Sequence, residues 1–189
     1  MGFLDALFGR TRPVRSRPEQ IFAIATAYVT LTVDLNLTAS GKAGVCFRPL
    51  GSALFAQEQK ELEQMLRVAA QEAGTKIEIK EDQYGFRWVT LQDPEFEDLV
   101  AGIHTVSLTL QDQGYRDQLL AADFLFYQGE QQVHWIYNFK RGAFYPFVPI
   151  GEGRQRDNAA ELRLKSVMER ELPIEVDLER WYPLWGAPL

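Results

Sequence analysis

The chain has 189 residues, of which 46% are hydrophobic and 12% aromatic, with 24% charged side chains and a net charge of −6. That is material for one packed domain, and the acidic balance argues against a nucleic-acid partner, whose binders carry basic faces. A single cysteine, Cys46, excludes an intrachain disulfide, and no run approaches the ~18 apolar residues of a membrane span.

In chain order, residues 1–9 place Phe3, Leu4, Leu7 and Phe8 on one helical face. Arg10, Arg12, Arg15 and Arg17 follow at once, interrupted by Pro13 and Pro18, so 10–17 reads as a basic linker. Residues 1–17 thus form an amphipathic segment and linker, and 18–189 a single domain. An apolar face followed by cations suits the surface of an anionic membrane, although Asp5 lies among the apolar positions. The same face would equally serve to dock on the protein itself or on a neighbouring subunit. Ala6 stands where a myristoylation signal has Ser or Thr, and 1–9 has neither the length nor the charge order of a secretory signal.

After a short helix through Ile21, Phe22 and Ile24, the period changes to two. Val29, Leu31, Val33, Leu35 and Leu37 alternate with polar residues, which predicts a half-buried strand over 28–37. Ser40-Gly41-Lys42 reads as the turn into a second strand, 44–47. A long helix is expected over 54–73, its stripe made by Leu54, Phe55, Leu62, Met65, Leu66, Ala69 and Ala73. A hairpin follows: Ile77 and Ile79, a turn at Gln83-Tyr84-Gly85, and a return over 86–91. Asp93 and Pro94 open a second long helix with Phe96, Leu99, Val100, Ile103, Val106, Ser107 and Leu110 on one stripe, closed by Gly114. Three strands are predicted over 119–127, 131–139 and 143–148. Asp157 caps a last helix carrying Leu162, Leu164, Val167 and Met168. The order is roughly β-β-α-β-β-α-β-β-β-α, an α+β fold with a mainly antiparallel sheet flanked by helices.

The chemistry-bearing residues are few. His104 and His134 have no partners at metal spacing, and each reads as structural. No Gly-x-Ser-x-Gly, Gly-x-x-x-x-Gly-Lys or Gly-x-Gly-x-x-Gly occurs. Gly151 and Gly153 form a turn pair before Arg154 and Arg156. Asp34 and Asp123 fall in apolar strands, where alternation would turn them to the wet face. No catalytic residue, metal or cofactor is therefore expected.

The densest block is Asn138-Phe139-Lys140-Arg141-Gly142-Ala143-Phe144-Tyr145-Pro146-Phe147-Val148-Pro149, echoed by Arg180-Trp181-Tyr182-Pro183-Leu184-Trp185-Gly186. Large aromatics here serve either a core that pins the tail or a rim of the kind that interfaces enrich. On the second reading Lys140, Arg141, Tyr145, Trp181 and Trp185 form a partner-binding surface.

These blocks, with Met1-Gly2-Phe3-Leu4-Asp5-Ala6-Leu7-Phe8-Gly9-Arg10, Gly44-Val45-Cys46-Phe47, Asp82-Gln83-Tyr84-Gly85-Phe86-Arg87-Trp88, Arg156-Asp157-Asn158-Ala159-Ala160-Glu161-Leu162 and Leu172-Pro173-Ile174-Glu175, resemble the PspA-associated protein B (PspAB) family over nearly the whole chain. The Phe-Tyr-Pro-Phe and Trp-Tyr-Pro-Leu-Trp blocks are the most specific. The resemblance implies a prokaryotic, cytoplasmic protein tied to phage-shock, envelope-stress functions, encoded near membrane quality-control genes that include a membrane zinc protease. It brings no catalytic residues to transfer. The expectation is a non-catalytic accessory or adaptor with a protein partner from the membrane-stress system. Peripheral contact at the inner face of the membrane is part of that expectation, and self-association is left open. The alternatives are a secretion-chaperone-like module that holds a partner segment, and, behind it, an enzyme of unrecognised type.

Overall fold

The structure, a computed structural model, describes residues 18–49, 60, 64–68, 74–151 and 153–189. The expectations for Phe3, Leu4, Leu7, Phe8, Arg10, Arg12, Arg15 and Arg17, and most of those for 54–73, lie outside the described residues. Residues 64–68 are helical, with Leu66 buried; Met65, expected on the apolar stripe, is exposed.

The fold is α+β. Six strands form one antiparallel sheet: β1 (Thr38–Phe47), β2 (Lys76–Glu81), β3 (Arg87–Gln92), β4 (Leu119–Gln128), β5 (Gln131–Asn138) and β6 (Ala143–Phe147). Their spatial order is β2-β3-β1-β4-β5-β6. A small ribbon pairs β7 (Pro149–Ile150) with β8 (Gln155–Arg156). The helices are a short α1 (Ala23–Thr26), a long α2 (Phe96–Leu110) and α3 (Asn158–Met168).

The helix α2 matches its sequence signature closely. The seven predicted stripe residues are the seven that it buries, and Gly114 ends the helical run at φ 87°. Asp93 acts just upstream of the first turn: its carboxylate accepts from Glu95 N at 3.0 Å and from the Thr75 hydroxyl at 2.8 Å. In α3 the cap is Asp157, whose side chain accepts from Ala160 N. The buried residues there are Ala160, Glu161, Leu164 and Met168, whereas Leu162 and Val167, expected inside, are exposed.

The strand expected over 28–37 is not a strand. A 3-10 turn (Pro18–Phe22), α1 and a π-helical turn (Thr30–Asp34) carry the chain to β1. Ile21, Ile24, Ala27 and Leu31 point inward at helical spacing, while Val29 and Val33 are exposed. The alternation of apolar residues was overridden by burial of every third or fourth side chain. Ser40-Gly41-Lys42 is likewise no turn between strands. It lies within β1, where pairing with β4 jumps from Ala39↔Phe126 to Lys42↔Leu125. Gly41 adopts φ 73°, and a Cβ there would sit 3.0 Å from the Asp93 carbonyl oxygen that passes beside it. The two extra residues form a bulge that bends β1 without breaking the sheet.

Strand alternation splits the sheet into two faces. On one, Ala43, Val45, Val89, Phe124, Phe126, Trp135 and Tyr137 pack with α1, α2 and α3 in the main core. The other carries Ala121, Ile136, Tyr145 and Phe147, which form a second cluster with Trp181. No helix covers this second face among the described residues; the chain from Ile174 to Leu189 does.

Candidate functional site

The C-terminal tail is fastened to the second face by named bonds. It first lies along the edge strand β6: Phe144 N donates to Pro173 O at 2.7 Å, and Glu175 N to Phe144 O at 2.8 Å. This parallel bridge covers the backbone edge that β6 would otherwise expose. Trp181 then enters the second cluster, stacked on Tyr145 with ring centroids 6.1 Å apart, its Nε1 donating to Glu175 O at 2.9 Å. The Tyr145 hydroxyl donates to Tyr182 O at 2.9 Å. Trp185 meets the Phe147 ring edge-on at 4.9 Å and stays half-buried.

Two arginines lock this arrangement. Arg156 donates from Nε to both Glu161 carboxylate oxygens, at 2.9 and 3.0 Å, and from Nη1 to Trp181 O at 2.8 Å. Glu161 also accepts from Val148 N, so one buried carboxylate ties α3, the end of β6 and, through Arg156, the tail. Burial pushes the Glu161 carboxyl upward more than the bonds from Arg156 and Val148 pull it down. Arg141 donates from Nε to Glu175 at 2.7 Å. Burial raises the Glu175 carboxyl, but the bonds from Arg141 and Asp177 N outweigh it and leave it below its ordinary range.

The five residues expected to form a partner surface therefore separate. Tyr145 and Trp181 are 2% and 5% exposed, so their rings are structural contacts under the tail and offer no side-chain surface to a partner. Burial also pushes the Tyr145 phenol upward. Arg141 is engaged by Glu175, Trp185 is half-buried, and Lys140 alone is fully at the surface. Outside lie three residues that the expected partner surface did not include, Val176, Leu178 and Tyr182, exposed by 81%, 51% and 58%, of which only Tyr182 stood in the aromatic block. Between them stands the Arg180–Asp177 ion pair at 2.7 Å. Sequence alternation pointed the other way for Val176, since the apolar Val176 is exposed and the charged Glu175 beside it is buried.

Inside the tail's far end is a cleft of about 320 Å³, with Gln83, Tyr84, Gln132, His134, Arg154 and Trp185 among its walls. His134 is 5% exposed, and its Nδ1 lies 2.9 and 3.1 Å from the Asp123 carboxylate oxygens. Asp123 is wholly buried, which corrects the expectation that alternation would turn it to water. It faces the tail side of the sheet, and that side is closed. Asp34 is exposed, but on a helical turn rather than a strand. A buried carboxylate needs a partner, and His134 supplies it. The pair could have been found from the sequence. A two-residue turn at Gly129-Glu130 sets Gln128 opposite Gln131, which puts Asp123 and His134 on one face as diagonal neighbours. Among the described residues no group of three metal-ligating side chains occurs.

An antiparallel sheet with helices on one face and an aromatic strap on the other defines the class, an α+β protein. The PspA associated protein B family model matches residues 1–189, and the chain belongs to that family. No curated protein and no solved structure matches it. Among the described residues no helix is long and apolar enough to cross a membrane.

Proposed function

We propose that this protein is a non-catalytic adaptor of a PspA-type envelope-stress response and works by protein–protein contact, with the outer side of its tail as the contact surface. The observation that carries the reading is family membership over the whole chain, which associates it with PspA. The surface is chosen on physical grounds. Val176, Leu178 and Tyr182 are large apolar side chains held in water on a strap anchored by Arg141–Glu175 and Arg156–Glu161. Exposed aromatic and aliphatic groups on a rigid support are what interface centres use. Lys140, at the neighbouring turn, supplies a cation on the rim. The working place of such an adaptor is the cytoplasm, with residues 1–17 in reversible contact with the anionic inner face of the membrane.

The test is capture of purified PspA by the full-length chain, compared with the Val176→Ser/Tyr182→Ser double variant. The variant should retain its melting temperature and lose most of the capture. Absence of capture by the natural chain, or equal capture by both, overturns the proposal. Vesicle flotation examines the membrane contact: deletion of residues 1–9 should abolish flotation with anionic vesicles, and unchanged flotation refutes it.

A further inference from the structure

The first helical stretch of the described chain carries apolar side chains on two sides. The 3-10 turn, α1 and the π-helical turn follow one another from Pro18 to Asp34. Ala27 N donates to Ala23 O and Leu31 N to Ala27 O, each at 3.0 Å, so the turns join in one helical run. Ile21, Ile24, Ala27 and Leu31 face inward. Phe22 packs on His104 and Tyr28 stacks on Phe96, so the run lies along α2 in the opposite direction. Its outer side is apolar as well. Phe22, Val29 and Val33 are exposed by 40%, 68% and 72%, with Thr26 exposed between them. The steps from 22 to 26, 29 and 33 alternate four and three, the spacing of a seam that one helix offers another. Valine is a poor helix former, so propensity gives no reason for Val29 and Val33 to stand in water there.

The segment that precedes the seam in sequence fits it. Residues 1–9 carry Phe3, Leu4, Leu7 and Phe8 at helical spacing, and residues 10–17 join them to Pro18. Those eight joining residues, fully extended, reach up to about 26 Å. At about 1.5 Å per residue, Pro18 to Val33 is roughly 22 Å, so the whole seam is within reach. Charge agrees with length. Residues 10–17 hold four arginines, whereas 18–41 hold Glu19 and Asp34, both exposed, and no Lys or Arg. A further carboxylate, Glu171, accepts from the Thr30 hydroxyl at 2.7 Å beside the seam. A second copy is the rival occupant. A seam of Phe22, Thr26, Val29 and Val33 falls well short of the roughly 800 Å² per partner that a stable dimer buries. A tethered segment needs no such area, because its effective concentration is about millimolar.

We propose that residues 1–9 dock within the same chain on the seam of Phe22, Val29 and Val33, with the arginines of 10–17 beside Glu19 and Asp34, and that an anionic membrane competes with the seam for their apolar face. The docking stands on the seam alone. The competition rests on the membrane contact proposed above, so the two fail separately. A docked segment is hidden from lipid, and its apparent affinity falls by the fraction of time that it is free. The seam thus sets how much anionic lipid is needed before the protein binds a membrane.

The test compares methyl NMR spectra of the full-length chain and of its full-length Phe3→Ser/Leu7→Ser variant. The Val29 and Val33 methyl signals should shift between the two, while those of Val176 and Leu178, on the tail, should stay. Unshifted Val29 and Val33 signals overturn the docking. So does a shift of these signals on tenfold dilution of the natural chain, which would make the occupant a second copy. Flotation tests the competition. Val29→Ser/Val33→Ser changes two exposed side chains and should keep its melting temperature. It should need about threefold less phosphatidylglycerol vesicle for half-maximal flotation, the factor for a segment docked two-thirds of the time. An equal or greater lipid requirement overturns the competition. If neither protein floats, the membrane contact itself has failed, and the methyl signals alone decide the docking.

Discussion

Replacing Trp181 by alanine removes the centre of the tail's attachment. The indole is 5% exposed, stacks on Tyr145 and bonds Glu175 O, so its loss leaves a cavity against the sheet and an unpaired carbonyl. Large-to-small changes of a buried Trp cost about 3–5 kcal/mol. For a chain of this size each kcal/mol moves the melting temperature by about 2–4 °C, so Tm should fall by roughly 6–20 °C. Trp185→Ala is the internal control. Its ring is half-buried and makes one edge contact with Phe147, so it should cost about 1–2 kcal/mol. Urea denaturation resolves how the loss arises. An unchanged slope means a cavity beneath an attached tail; a smaller slope means that the native variant already exposes the second face. A loss below about 1 kcal/mol, or one no larger than that of Trp185→Ala, would refute the view that Trp181 is the anchor.

Arg141→Ala should cost about 1–3 kcal/mol, because it leaves the buried Glu175 carboxylate with the Asp177 amide but without its hydrogen-bonded cation. The Glu175 carboxyl is held below its ordinary value of ~4.3, so its contribution is complete above that value and disappears as pH falls through the folded one. The acid limb of stability against pH should therefore be shallower in Arg141→Ala, and parallel limbs would contradict the pairing. Gly102→Ala should lose about 1 kcal/mol in a thermal melt, since a Cβ there would lie 2.5 Å from Leu91 Cδ2, an overpacking that exceeds the gain in helix propensity. Cys46 should resist thiol reagents until the protein unfolds: burial, then Asp82 and Asp123, push its thiol upward, and rapid labelling of the native protein would show that the tail does not close that face.

The long helix and the hairpins were legible because their signals are local. The stripe of α2 from Phe96 to Leu110 repeats at helical spacing, and Gly129 and Gly142 take the positive φ values that their turns require. The stretch 28–37 misled because two patterns overlap in it. Val29, Leu31 and Val33 alternate like a strand, while Ile21, Ile24, Ala27 and Leu31 repeat like a helix, and only packing against α2 selects the second. The site was half legible for a different reason. Aromatic residues at 144–147 and 181–185 announced an unusual element, but whether a ring lies under a strap or on top of it depends on partners more than 30 residues away in sequence. Tyr145 finds the Tyr182 carbonyl and Arg141 finds Glu175, and neither pairing has a local signature.

Because the strap follows every strand it covers, the two faces of the sheet are completed at different times during synthesis. A ribosome adds residues at roughly 5–20 per second and delivers the N-terminal part first. Of the helices over the main core, α1 and α2 precede β4 and α3 follows β6, so that face is filled once residue 172 has been made, before the tail. Ile136, Tyr145 and Phe147 stay open until Trp181 and Trp185 have emerged. A message cut short after α3 and Leu172 would yield a chain with its main core filled, an uncovered apolar second face and an unpaired edge on β6, a combination that invites aggregation and removal by proteases. Residues 174–189 thus decide when the second face of the sheet is closed.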